Sequence, residues 1–270
     1  MGPGGKGANQ AVAAARLGAD VTMVVKLGQD IFGDQAEANM IKEEIRPGFI
    51  FRSTETHTGA ALIMVDAQGE NMIVVAAGAN SSLSPEDVDK AEEAIRQADV
   101  LLVQLEIPQE TVDRAIQMAH ESGVKVLLNP APGRELSGEL LGMVDVLTPN
   151  ETETQIVSGL PVTDVKEAQI AALQLLDRGV GAVVVTLGAQ GALVVTPAGI
   201  EHVPGLQVNV VDTTGAGDAF SGALAVALAE GTKLTEAVAF ANAAAALQVT
   251  KIGTASAMPY REEVDELLAG

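Results

Sequence analysis

The chain has 270 residues, 36 acidic and 16 basic, and its net charge of −20 repels a phosphate backbone. With one Tyr, five Phe and no Trp to stack against bases, nucleic acid is a poor partner. Cysteine is absent and no uninterrupted apolar run approaches the ~20 residues of a membrane helix. Disulfides, thiolate metal sites and a membrane partner are thereby excluded, and a cytoplasmic location is expected.

The opening MGPGGKGANQAVAAARLGAD feeds a glycine cluster into a small-residue helix, with three residues ahead of Gly4. Short apolar runs at 20–25 (DVTMVV), 99–105 (DVLLVQL), 125–129 (KVLLN), 145–149 (DVLTP) and 181–186 (GAVVVT) lack strict alternation. They predict strands covered on both faces. Segments 84–98, 108–123 and 163–179 predict helices between them. The first carries a Ser cap, a Pro in its first turn and early acids, and the second stops on a glycine.

One segment breaks the alternation. Residues 58–78 (TGAALIMVDAQGENMIVVAAG) predict a hairpin turning at Ala67, Gln68 and Gly69. Such a hairpin is a flap over a site, a dimer contact or an antiparallel extension of the main sheet. After Gly181, short strands with glycine turns lead to a strand ending at Asp212, and two alanine-rich helices follow around 217–231 and 234–250. No linker rich in Pro, Gly or Ser divides the chain. Residues 1–270 are expected to form a single α/β domain with a mostly parallel central sheet flanked by helices.

The stretch VVDTTGAGDAFSGAL (210–224) carries the most chemistry. Gly215, Ala216 and Gly217 make a turn into a helix, and consecutive N–H groups there form an anion cradle suited to a phosphate. Asp218 stands in that helix's first turn, where its charge repels the same phosphate. Either it accepts a proton from an attacking hydroxyl or it satisfies the helix N-terminus.

DTTGAGDAF, from Asp212 to Phe220, resembles the second signature of the ribokinase-like sugar kinases, and PGGKGANQAVAAARLGA resembles their first. NETE (150–153) and TLGAQG (186–191) match two further elements of that family, in the family's order and across nearly the whole chain. The resemblance implies a ribokinase-like fold whose lid survives as the hairpin at 58–77. It also implies ATP-dependent phosphorylation of a pentose hydroxyl, with D-ribose to ribose 5-phosphate the expected reaction.

Within that resemblance Asp218 is the base, and Gly215, Ala216 and Gly217 stabilise the transferring phosphate. Gly4, Gly5, Lys6, Asn9, Glu106 and Asp212 join Asp218 around the sugar. Asn150 and Glu153 organise Mg2+ through water. Asn150, Thr186, Gly188, Gly191, Gly217 and Asn242 contact the nucleotide. An activating monovalent cation, K+, is held by Asp212 and by carbonyls near Thr214, Val249, Gly253 and Ala257. A homodimer is expected.

The family pattern starts with a strand carrying Gly-Ser-x-Asn-x-Asp and a short lid segment, about forty residues that this sequence lacks. An unpaired sheet edge and a weakened grip on the sugar are the expected consequences, and the alternative reading is a weak or inactive form that binds nucleotide or sugar. GPGGKG superficially matches a dinucleotide fingerprint but follows no strand. His57, His120 and His202 lack metal-like spacing and read as structural or surface residues.

Overall fold

Successive strand residues point to opposite faces of a sheet, so a strand apolar at every position needs a core on each side. The computed structural model, which describes residues 4–65 and 71–270, provides both cores. The chain begins with α1 (Lys6–Arg16), β1 (Thr22–Gly28), α2 (Ile31–Lys42), β2 (Arg46–Ser53), β3 (Ala60–Val65) and β4 (Asn71–Ala76). It continues through α3 (Pro85–Asp89), α4 (Glu92–Arg96), β5 (Val100–Val103), α5 (Gln109–Glu121), β6 (Lys125–Leu128), α6 (Gly138–Leu141) and β7 (Val146–Leu147). Then come α7 (Glu151–Ser158), α8 (Val165–Asp177), β8 (Ala182–Thr186), β9 (Ala192–Thr196), β10 (Gly199–Val203), α9 (Ala216–Ala229), α10 (Leu234–Gln248) and α11 (Arg261–Ala269).

Six strands form the central sheet in the order β10-β9-β8-β7-β6-β5. The pairs from β5 to β8 are parallel, while β8–β9 and β9–β10 are antiparallel. Val183 and Val185 of β8 join a core with Ile116 of α5 and Leu175 of α8. Ala182 and Val184 point the other way, into a core with Leu224 of α9 and Val238 of α10. At roughly 1.5–3 kcal/mol for each fully buried large aliphatic side chain, these two layers dominate the favourable side of folding. No helix among the described residues is long and apolar enough to cross a membrane.

Two smaller sheets stand beside this one: β1 with β2, parallel, and β3 with β4, antiparallel. The hairpin therefore exists as expected and is no extension of the main sheet; its anticipated turn at Ala67–Gly69 lies outside the described residues. Among the described residues, β1 and β5 each have a hydrogen-bonded neighbour on one side only. Lys26 of β1 ties its pair to the body, donating to Asp87 of α3 at 2.8 Å and to the Ser82 carbonyl at 2.9 Å.

Some expectations change. Residues 84–98 form two short helices, because Ala91 closes a tighter turn onto the Val88 carbonyl at 2.8 Å and is fully buried there. The strand expected to end at Asp212 does not form. Val210 and Val211 are more than half exposed, and Val211 bonds the Val249 carbonyl after α10 in place of a neighbouring strand. Helix α2 and strand β2 carried no pattern in the sequence; charged and apolar residues mix along both.

Helices α1 and α9 meet through small residues. A Cβ placed on Gly222 would lie 2.7 Å from both the Ala13 Cβ and the Gln10 carbonyl oxygen. Gly222→Ala is expected to cost about 1–3 kcal/mol by urea unfolding, as overpacking does in a filled core. It should also lower activity by pushing α1 away from Asp218; unchanged stability would show that the seam has slack.

Candidate active site

Helix α9 starts at a sharp turn, where Gly215 caps it with φ 94°, a conformation that side chains disfavour. The first helical bond joins the Ala219 N–H to the Gly215 carbonyl at 2.9 Å. The N–H groups of Gly217 and Asp218 precede that ladder and face out of the helix end with its dipole. A Cβ on Gly217 would meet nothing within 4 Å, which leaves room for an anion. Ala216 instead donates its N–H to the Thr213 carbonyl at 3.2 Å, so its part in the expected cradle is to shape the turn.

The Asp218 carboxylate is 7% exposed and points at α1. Asn9 Nδ2 donates to its Oδ2 at 2.7 Å, and Gln10 Nε2 donates to its Oδ1 at 3.0 Å. Gln10 is itself fixed: its Nε2 also donates to Asn129 Oδ1 at 3.0 Å, its Oε1 accepts from Gln104 Nε2 at 2.5 Å, and Asn129 donates to the Thr148 carbonyl at 2.9 Å. Burial raises the Asp218 pKa above the ordinary aspartate value, while the two amides and the Lys6 ammonium oppose that rise. Among the described residues the buried Asn9 Oδ1 has no hydrogen-bond donor.

Gly5 caps α1 at φ 96°, and the Lys6 N–H that follows donates to Glu106 Oε2 at 3.1 Å. Burial likewise raises Glu106 and Glu153, Lys6 lowers both, and the Asp218 charge raises both. Lys6, Glu106, Glu153 and Asp218 therefore lie close enough to feel one another's charge. Asn150 and Glu153 begin α7 as a reciprocal cap: Asn150 Oδ1 accepts from the Glu153 N–H at 2.8 Å, and Glu153 Oε2 accepts from the Asn150 N–H at 2.9 Å. Among the described residues no three acidic or histidine side chains converge to hold a metal ion unaided. A half-buried carboxylate with a raised pKa at a phosphate cleft fits Mg2+ that keeps water and phosphate oxygens as its main ligands.

The expected nucleotide residues form a second group. The Thr186 N–H bonds the Pro149 carbonyl at 2.9 Å, which sets the end of β8 beside Asn150. Gly188 and Gly191 take φ 55° and 92°, and a Cβ on Gly191 would lie 2.2 Å from the Val203 carbonyl oxygen. Asn242 donates to the Val203 and Pro204 carbonyls, each at 3.2 Å, holding that backbone under Gly191.

Asp212 ties two backbone segments together. Its Oδ1 accepts from the Thr214 N–H at 2.9 Å and its Oδ2 from the Gly253 N–H at 3.1 Å, and these bonds lower its pKa. Three of the four carbonyls expected to hold K+ already accept hydrogen bonds. Gln248 Nε2 donates to Thr214 O at 2.7 Å and to Gly253 O at 2.9 Å, while Val249 O accepts from the Val211 N–H at 2.7 Å. Of that set, Ala257 stands in a short buried helical turn at 255–257. The residues present do not fit the cation.

A model of the pfkB family of carbohydrate kinases matches residues 1–261. The chain belongs to the pfkB family. It is 46% identical over 265 residues to a ribokinase of Haemophilus influenzae, a match covering 98% of this chain and 87% of that one. A deoxyribokinase of Salmonella typhimurium is 42% identical over 270 residues, covering 100% and 88%. Among solved structures, Arabidopsis thaliana ribokinase complexed with ribose and ATP superposes with TM-score 0.94 at 34% identity, covering 99% of this chain and 88% of that one. Thermotoga maritima ribokinase gives 0.91 at 39%, covering 100% and 88%.

In this pfkB sugar kinase, sequence reasoning missed Gln10, Gln104, Asn129 and Gln248. The available signal was an amide at each of these positions in otherwise apolar segments that pack into the body. Gln10→Leu removes one donor from the charged form of Asp218, so its pKa should climb further. The acid limb of kcat is expected to move up by about one to two pH units, with the sugar KM little changed. An unmoved acid limb in a folded variant would reject the positioning role.

Proposed function

We infer that this pfkB kinase transfers the γ-phosphoryl group of ATP to a pentose hydroxyl, converting D-ribose to ribose 5-phosphate. The observation that carries the reading is the Asp218 carboxylate, buried at a phosphate-facing helix N-terminus and gripped on both oxygens by Asn9 and Gln10. High identity to ribokinases over nearly the whole chain supports the sugar, and the ribose and ATP bound by the Arabidopsis relative support the substrate pair.

The chemistry follows from charge placement. The sugar's terminal hydroxyl attacks the γ-phosphorus, its proton passes to Asp218, an O–P bond forms, and the bond to ADP breaks. A raised Asp218 pKa strengthens the ionised carboxylate as a proton acceptor. The N–H groups of Gly217 and Asp218 meet charge developing on the transferring group, with Gly215 shaping the turn. The Lys6 ammonium and Asn9 orient sugar hydroxyls, and Glu106, anchored by the Lys6 N–H, accepts from another.

Glu153 and Asn150 would hold Mg2+ through water, and the ion supplies charge neutralisation on the phosphates. Thr186, Gly188 and Gly191 line the nucleotide side, with Asn242 acting through the backbone it holds. The β3–β4 hairpin serves as a lid and dimer contact in this reading, which its separation from the main sheet and the exposed Val75 of β4 support.

Asp218→Asn is expected to lower ribose-dependent ADP release by roughly two to four decades with the fold retained by circular dichroism. Turnover needs the ionised carboxylate, so activity should fall with decreasing pH through a pKa above the ordinary aspartate value. Equal turnover in the variant would remove Asp218 as base. Absence of ribose-dependent ADP release in the unaltered chain would remove the kinase reading itself.

A further inference from the structure

The turn that caps α9 is tied to the segment after α10 by two side chains and two backbone bonds. Asp212 accepts from Thr214 and Gly253, Gln248 donates to the carbonyls of those same two residues, and Val211 and Asp212 donate to Val249 O at 2.7 and 3.2 Å. Gln248 is fully buried, and its Nε2 lies 3.4 Å from where a Cβ on Gly215 would stand. The amide sits directly behind the phosphate-facing turn.

Its orientation is fixed by chemistry. A terminal amide carries two N–H donors, and here each meets a carbonyl oxygen; reversing it would set Oε1 against those two oxygens. A cation between Thr214 O and Gly253 O would have to share them with two positively polarised hydrogens in a buried place. We propose that the Gln248 amide replaces a monovalent cation in this chain, drawing together the Thr214 and Gly253 carbonyls and holding the cradle without an exchangeable ion. The inference rests on the kinase reading, and it makes phosphoryl transfer independent of K+.

The test compares KCl with tetramethylammonium chloride at equal ionic strength, using the full chain and ATP free of potassium. Two readouts are taken: ribose-dependent ADP release, and thermal unfolding without substrates. The unaltered chain should change by less than about twofold between salts, whereas Gln248→Ala should be slow without K+ and stimulated at least about fivefold by it, a typical coupling between sites. Its melting temperature should rise in K+ while that of the unaltered chain stays level. Gln248→Leu fills the space with no donor and should be slow and salt-insensitive, which covers the case of an Ala variant that fails to fold.

The buried Oε1 of Gln248 has no protein partner. If it were itself a cation ligand, the unaltered chain would be stimulated and stabilised by K+ and the Ala variant would not, and the proposal would be overturned. Should no ribose-dependent ADP release occur in either salt, the kinase reading fails and the unfolding measurements alone decide the role of Gln248.

Discussion

A carboxylate held away from water has to be compensated, and the compensation chosen for Asp218 organises the molecule around it. Donors from Asn9 and Gln10 oppose the cost of burial without neutralising the charge, as a tight ion pair would. Both amides favour the ionised form that can take a proton. The arrangement requires that two consecutive residues of α1 reach α9, and so fixes how closely those helices approach. It further requires that Gln10 be held from behind, which Gln104 and Asn129 do from just beyond the carboxyl ends of β5 and β6.

The central sheet supplies those residues because of how it is read, each strand delivering its final polar residue at the same rim. Gln104, Glu106 and Asn129 follow β5 and β6, Asn150 follows β7, and Thr186 ends β8. In open α/β sheets ligands gather at that rim. The excess of acidic residues around the cleft is balanced within it by one ammonium, Lys6, and by the oriented N–H groups of α9.

Much of this was legible in the sequence, for physical reasons that differ by residue. Strands apolar at every position betrayed a sheet buried on both faces, and Gly215 and Gly217 betrayed a turn with backbone exposed to a ligand. Asp218 stood out as a charge in an unfavourable place. The glutamines gave only the weaker signal of an amide in an apolar segment, whose partners local sequence does not reveal; Gln10 and Asn129 are 119 residues apart. Asp212 shows a part the signature alone did not: its two oxygens serve the Thr214 and Gly253 N–H groups. The strand expected before it failed because no neighbouring strand was available to pair with, a long-range fact that local β propensity does not encode.

The glycine at 222 has a mechanical consequence. With backbone nearly touching backbone, α1 and α9 lack the interlocking long side chains that would let one slide past the other by changing rotamers. The residues proposed for the sugar on α1 and the proposed base on α9 therefore travel as one block. The hairpin, by contrast, is rooted through Thr58, which bonds Asp30 at the cap of α2 and accepts from the Gly28 N–H at the end of β1. A hairpin rooted in this way is coupled to α2 and β1 rather than to the α1–α9 pair.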